Sequence, residues 1–422
     1  MIKRLLPLLL ACLCLGYCIP VYGAEAVYID TEAELIALSK RVNDGDTMAG
    51  VQVFLNGNIN LTAPFTPIGN SDNPFCGSFN GGGYTVRGLR VEGGSDFNGL
   101  FGNVVCGSVK DLTLTDAYVS GGDYSALLIG RLYCYKGYSA VTNCKATGTV
   151  EGACYTGGMV GFVFSAAHGD YAECLVENCG FTGDVKGELY VGGICGKAEA
   201  ISTSSRAESI IKSCTARGNV SAIGGYGSMA GGICGAVGAK SKGGSSIAEA
   251  DSCLSYADLR ADKAAAGGIT GVVGGEGYGA RATVKNSVAF GTVYSEAIAG
   301  GIAGQCEKAD LGVANIENSI TGATVLGGDI YPVSKGDATQ NCAVADGNTA
   351  YPIEVEEPVY TRGDVNGNGK VDNLDAALVL KYDAGLAFFA TAQKAADCNG
   401  DGKANNLDAA AILKYDAGIT EL

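Results

Sequence analysis

A five-residue element, Gly-Gly-Ile/Met-x-Gly, occurs at Gly157–Gly161, Gly192–Gly196, Gly231–Gly235, Gly267–Gly271 and Gly300–Gly304, with starts 35, 39, 36 and 33 residues apart. A second element keeps step with it: Asn143-Cys144, Asn178-Cys179, Ser213-Cys214, Ser252-Cys253, Asn286-Ser287 and Asn318-Ser319. A third, Gly-x-Val, begins at Gly148, Gly183, Gly218 and Gly291. Periods of this size restrict a chain to stacked units, each burying its apolar edge only against its neighbours. Short strands between glycines, with the same residue returning at the same place, predict a mainly β fold. The expected form is a right-handed, parallel β-helix-like solenoid whose coils stack about 4.8 Å apart.

Composition fits tight turns and short strands: 66 glycines, no Trp, one His and eight Pro in 422 residues. The net charge of −15, without basic clusters, argues against nucleic acid and anionic membranes as partners. Of 17 cysteines, Cys12, Cys14 and Cys18 fall in an N-terminal leader. Among the rest, Cys144, Cys179, Cys214 and Cys253 share one repeat position, and Ser287 and Ser319 take it in later units. Exchange of Cys with Ser at a repeat position reads as a ladder of small inward side chains, so free buried thiols are expected over a set of disulfides.

This segment, about residues 27–343, resembles the GLUG-motif repeats of bacterial surface and secreted proteins. Pro67-Ile-Gly69, Gly77–Val86, Gly88-Leu89 and Gly99-Leu-Phe-Gly102 match the lead-in often found before such repeats. The resemblance implies a β-helix and no particular reaction. A solenoid needs a cap, and Thr31-Glu-Ala-Glu34 is a capping box. Leu35, Leu38 and Val42 then share one helical face, predicting a lid helix over 31–43.

Two functional classes stand for the solenoid. One is non-catalytic binding or adhesion to a polysaccharide or cell-surface ligand. The segments 162–177, 197–212, 236–251 and 272–285 read as long unequal loops on one side. Tyrosines such as Tyr133, Tyr135, Tyr138, Tyr155, Tyr171, Tyr190, Tyr226 and Tyr278 can stack on sugar rings, or serve strand edges and core. The other class is a polysaccharide lyase or glycoside hydrolase, since β-helices include pectin-degrading enzymes. Hydrolysis needs two carboxylates across the bond, and no recurrent Asp/Glu cluster is visible in the repeats. His168 beside Asp170 is either a base with its orienting carboxylate or a lone surface histidine. No catalytic residue is assigned.

The end of the chain carries two near-identical loops, Asp364–Asp375 and Asp397–Asp408, offset by 33 residues. Oxygen side chains fall at loop positions 1, 3, 5, 9 and 12 with Gly369 or Gly402 at position 6, the spacing of an EF-hand-type calcium loop. After them Asn-Leu-Asp-Ala-Ala and Leu-Lys-Tyr-Asp-Ala-Gly each occur twice. Residues 362–422 thereby resemble a type I dockerin, the small all-α module that attaches proteins to cohesin domains of cellulosome scaffolds. The resemblance implies two Ca²⁺ ions. Their ligands would be Asp364, Asn366, Asn368, Lys370 (carbonyl), Asp372 and Asp375, and then Asp397, Asn399, Asp401, Lys403 (carbonyl), Asn405 and Asp408. Cohesin recognition would fall on Asn373, Leu374, Leu380 and Lys381, and on Asn406, Leu407, Leu413 and Lys414. The family often has a Ser-Thr or similar polar pair where this chain has Asn-Leu, which leaves the cohesin type open. For Leu380 and Leu413, burial in the helix core is an equal alternative.

Lys3 and Arg4 before an apolar run from Leu5 to Leu15 form a secretory leader, too short to span a membrane. The expected division is a leader over 1–23, the solenoid with its cap over 24–343, an acidic proline-containing linker over 344–360 and the dockerin-like module over 361–422. The protein is expected outside the cell, cellulosome-associated, with no transmembrane segment.

Overall fold

Residues 26–93, 95–336, 339–340, 343–344, 362–363, 365, 371–383, 396–399 and 404–419 are described by a computed structural model of the protein. Its contacts divide the chain into two units, Met1–Ala350 and Tyr351–Leu422. The expected leader and nearly all of the expected linker lie outside the described residues.

In the first unit each repeat forms one coil. A representative coil runs through Ala172–Glu177, Gly180–Gly187, Tyr190–Gly192 and Cys195–Ser202, and the next begins at Arg206–Lys212. Stacked coils give three parallel sheets. Sheet A has eleven strands, from Ala26–Ile29 to Thr339–Gln340, and sheet C has seven, from Phe101–Val105 to Ala303–Ala309. Sheet B carries two ladders, one through Gly180–Gly187 and one through Tyr190–Gly192. They merge at Thr292–Gly300, which pairs with both Leu254–Ala261 and Ala265–Gly267.

In-register stacking puts like residues above like. On sheet A, Val141, Val176, Ile211, Ala250, Val284 and Ile316 form one fully buried column. Val150, Val185, Val220 and Leu259 do the same on sheet B, and Leu132, Val163, Ala198, Val237 and Val273 on sheet C. Each buried valine contributes about 1.5–3 kcal/mol relative to exposure.

The repeat elements are the corners. Asp111, Asn143, Asn178, Ser213, Ser252, Asn286 and Asn318 all have φ between 47° and 56°, the left-handed turn from sheet A to sheet B. Asn and Asp tolerate that region better than branched residues do. Their side chains also link coils: Asn143 Nδ2 donates to Asp111 Oδ1 (2.9 Å), Asn178 to Asn143 (3.3 Å) and Asn286 to Asp251 (2.9 Å). The next residue points inward and bonds the carbonyl two residues back. Cys144 donates to Thr142, Cys179 to Glu177, Cys214 to Lys212 and Cys253 to Asp251, at 3.2–3.3 Å. Ser287 and Ser319 make the same bond at 2.8 and 2.9 Å, which explains the exchange of Cys with Ser. All thirteen cysteines among the described residues are free thiols. Burial pushes Cys253 up to about 12 and, with the contact to Cys179, holds Cys214 well above the ordinary thiol range. Complete burial makes the neutral thiol the stable form of Cys214 and Cys253.

The double-glycine element is the corner between sheets B and C. A Cβ on Gly231 would lie 1.8 Å from the Cys234 carbonyl, and one on Gly193 2.3 Å from the Gly232 carbonyl of the next coil. Ile194, Ile233, Ile269 and Ile302, which follow the glycine pair, are fully buried.

Helix α1 (Glu32–Asn43) starts at Thr31 with both capping-box bonds formed and buries Leu35, Leu38 and Val42, as expected. The expected long loops are a correction. Segments 162–177, 197–212, 236–251 and 272–285 are mostly strands of sheets C and A, such as Val160–Ala167 followed by Ala172–Glu177. Their alternation of buried and exposed residues is built from Ala, Ser, Cys and Glu as well as Val and Ile, which weakens the strand signal in the sequence. Strand pairing also reaches Val344, one residue past the expected end of the solenoid.

The second unit contains helices α2 (Asn373–Asp383) and α3 (Asn406–Asp416), packed on each other. Among the described residues Val365, Ala376, Val379, Ala396, Cys398, Ala404, Ala409 and Ile412 form its core.

Candidate functional site

Helices α2 and α3 each begin at a loop whose last carboxylate is fully buried, Asp375 in the first turn of α2 and Asp408 in the first turn of α3. A buried carboxylate needs hydrogen-bond donors, and the loop backbone supplies them. Asp375 Oδ1 accepts from Val365 N (2.9 Å) and Oδ2 from Asp372 N (3.0 Å). Asp408 Oδ1 accepts from Cys398 N (2.9 Å) and Asn399 N (3.1 Å), and Oδ2 from Asn405 N (2.9 Å). Loop positions 2 and 9 are thus tied to position 12 in both halves. Asn405 also caps α3, its Oδ1 accepting from Leu407 N at 2.8 Å. Asp372, Asp375, Asp397, Asn399, Asn405 and Asp408 bring hard oxygen donors to the two loops, a set that fits calcium rather than a softer metal. Asp364, Asn366, Asn368, Lys370, Asp401 and Lys403 lie outside the described residues.

The helix faces answer the question left open for the leucines. Ala376, Val379, Ala409 and Ile412 fill the core, while Leu380 and Leu413 stand 45% and 44% exposed and Leu407 62%. Asn373, Asn406 and Lys414 are exposed as well. The side chains of Leu374 and Lys381 lie outside the described residues. Tyr415 and Ile419, 42% and 70% exposed, extend the apolar surface of α3 and its end. Their signal in the sequence was the position of Tyr415 beside the repeated Leu-Lys pair.

On the solenoid, His168 and Asp170 do not form a dyad. His168 Nδ1 meets Thr203 Oγ1 at 3.2 Å, and Asp170 pairs with Lys136 at 3.3 Å. Of the tyrosines that could serve either sugar stacking or the strand edges and core, Tyr133, Tyr155 and Tyr190 stack within the protein. Phe97, Tyr124, Tyr155 and Tyr190 form a column with centroids 4.8, 5.1 and 5.2 Å apart and nearly parallel planes. Tyr133, Phe164 and Phe162 form a second row at 5.3 and 5.1 Å. Such rings cover one another's faces and present edges and hydroxyls outward. Tyr226 and Tyr278 are 88% and 81% exposed.

Two other outward clusters were invisible in the sequence. Glu173 and Glu208 are register neighbours on sheet A, and the Tyr171 hydroxyl donates to both, at 2.9 Å to Glu208. Burial, and then these carboxylates, push the Tyr171 hydroxyl well above its ordinary value. On sheet C a trough of about 540 Å³ crosses coils from Lys197 and Glu199 to Glu307 and Lys308. Among the described residues no group of three or more His, Cys, Asp or Glu forms a metal set, and no helix is long and apolar enough to cross a membrane.

The chain is similar to several known proteins. A 95-residue stretch is 34% identical to Halomucin of Haloquadratum walsbyi (strain DSM 16790 / HBSQ001), covering 22% of this chain and about 1% of that protein's length. A crystal structure of a candidate immunoglobulin A1 protease from Bacteroides ovatus superposes with a TM-score of 0.47 at 18% identity, covering 72% of this chain and 84% of the other. Residues 362–415 match the Dockerin type I domain family. With its paired loops and helices, this segment is a type I dockerin domain, a calcium-binding module whose partner is a cohesin, as in cellulosome-type attachment.

Proposed function

We propose that this protein is a secreted subunit that the dockerin fastens to a cohesin-bearing scaffold, and that its GLUG-type, right-handed solenoid is a non-catalytic binding cargo. The leader over 1–23 directs secretion, and residues 344–360 link the two parts. Two calcium ions, one per loop, are held by the twelve loop residues named from the sequence. Supporting attachment above all is the matched closure of the loops around Asp375 and Asp408. Exposed Leu380 and Leu413 occupy equivalent places on α2 and α3, so each helix offers a cohesin-contact face.

The test is binding of the full chain to a panel of cohesins with and without a calcium chelator. Chelation should abolish binding; retention would refute the calcium-dependent reading. Leu413→Ala with Lys414→Ala should leave most affinity, because the α2 face remains. Complete loss would assign docking to α3 alone.

A second reading, a polysaccharide lyase or glycoside hydrolase, draws support from Glu173 and Glu208, two adjacent carboxylates sharing the Tyr171 hydroxyl. Sugar release by the wild-type protein that disappears in Glu208→Gln would establish it, and no release from a polysaccharide panel would end it.

A further inference from the structure

Resting on the reading of the solenoid as a binding cargo, we infer that the trough across sheet C is the binding site for an extended, uncharged, hydroxyl-rich saccharide chain. The trough comes from a change of side chains along two outward columns of coils stacked in register. One column reads Arg131, Phe162, Lys197, Ala236, Val272, Gln305, and the other Tyr133, Phe164, Glu199, Gly238, Gly274, Glu307. Aromatic and charged side chains thus give way to Ala, Val and Gly over two coils, after which Gln305 and Glu307 form the far wall. The walls are three strand spacings apart, about 14 Å.

Gly238 and Gly274 carry most weight. Glycines at the corners of this fold are forced: a Cβ on Gly232 would sit 2.2 Å from the Gly268 carbonyl. A Cβ on Gly238 would meet nothing closer than 3.9 Å, one on Gly274 nothing within 4 Å, and neither residue has positive φ. Nothing in the packing requires glycine there. Glycine inside a strand weakens it and often marks close approach of a ligand. Two such glycines adjacent in register keep the floor flat.

The wall makes the same point by another route. Lys197 Nζ lies 3.0 Å from Glu199 Oε1, with the side chains only 13% and 10% exposed. A nearly buried ion pair seldom adds stability over an apolar pair, and the preceding coil has Phe162 and Phe164 at these positions. Lys197 also lies 4.9 Å from the Tyr190 ring centre, at the last ring of the aromatic column.

The lining selects the ligand class. Three lysines (Lys197, Lys240, Lys308) face three glutamates (Glu199, Glu276, Glu307), so the trough is neutral in a protein of charge −15. Ammonium donors interleaved with carboxylate acceptors match hydroxyls, which donate and accept at once. An extended peptide is disfavoured. The floor strands Cys234–Ser241 and Thr270–Glu276 are paired on both sides, leaving no edge for main-chain bonding, and a Gly/Ala floor has no side-chain pockets.

The full-length protein is titrated with hydroxyethylcellulose, arabinoxylan, galactomannan and, as the acidic counterpart, polygalacturonate, by affinity electrophoresis and calorimetry. Gly238→Leu with Gly274→Leu fills the floor, and Lys197→Met with Glu199→Leu removes the pair without orphaning a charge. Binding of a neutral polymer should fall at least tenfold in both, with the melting temperature unchanged or higher in the first. Equal binding by wild type and both variants overturns the site while leaving the binding cargo intact. Preference for polygalacturonate overturns the ligand class. No binding of any polymer overturns the saccharide assignment itself, with cohesin attachment untouched.

Discussion

The solenoid and the dockerin reach order by opposite means. In the solenoid every coil buries its own apolar column against the coils on either side, and its polar corners are tied by Asn, Asp, Cys and Ser. Among the described residues of the dockerin, eight small or medium side chains form a core and two carboxylates are buried. Domains of that size need an additional source of stability, and bound metal is a common one. Packing therefore carries the first unit and charge compensation the second.

The largest effect should come from separating these two kinds of stability. Asp375→Ala with Asp408→Ala removes both loop-closing carboxylates and should abolish cohesin binding, while thermal unfolding of the solenoid stays unchanged. A common shift of both transitions would mean that the units do not fold independently. Next, Gly231→Ala forces a Cβ to 1.8 Å from the Cys234 carbonyl and should cost the solenoid roughly 2–4 kcal/mol, read by denaturant unfolding, with calcium binding intact.

A smaller effect distinguishes thiols within the solenoid. Cys106 and Cys134 lie 3.7 Å apart in neighbouring coils, and the hydrogen bond from Cys134 lowers Cys106 to about 6. Above that pH Cys106 is thiolate and should be the first cysteine alkylated by iodoacetamide; as pH falls through about 6 it protonates and the rate should drop. Cys134→Ala should move this profile upward, toward an ordinary thiol. The smallest effect is expected for Cys214→Ser. The hydroxyl can make the bond already made by Ser287 and Ser319, so stability should change by less than about 1 kcal/mol.

Periodicity made the solenoid legible before its strands were. The lid helix was readable because capping is local, and the paired loops because ligand spacing is local too. Strands of sheets C and A were misread as loops because residues such as Ala172–Glu177 gain their partners 35 residues away. The trough was hidden for a related reason. Gly238 and Gly274 are informative only once register places them side by side and the surrounding space is known to be empty. The pairing of Glu173 with Glu208 under Tyr171 depends on the same long-range register. Leu380 and Leu413 were undecided because α2 and α3 are apolar on several faces, and packing of Val379 and Ile412 inward decides which leucines remain outside.

The left-handed corners have a consequence for how such a chain can vary over evolutionary time. Asn143 holds Asp111 and Asn178 holds Asn143, so these corners are indexed to the ones before them. Loss of one residue between corners would throw every later column out of phase. Loss or gain of an entire turn would preserve all of them and change the rod by about 4.8 Å. Its length is therefore inherited in whole steps, and a genome can tune it by duplication without relearning how to fold it.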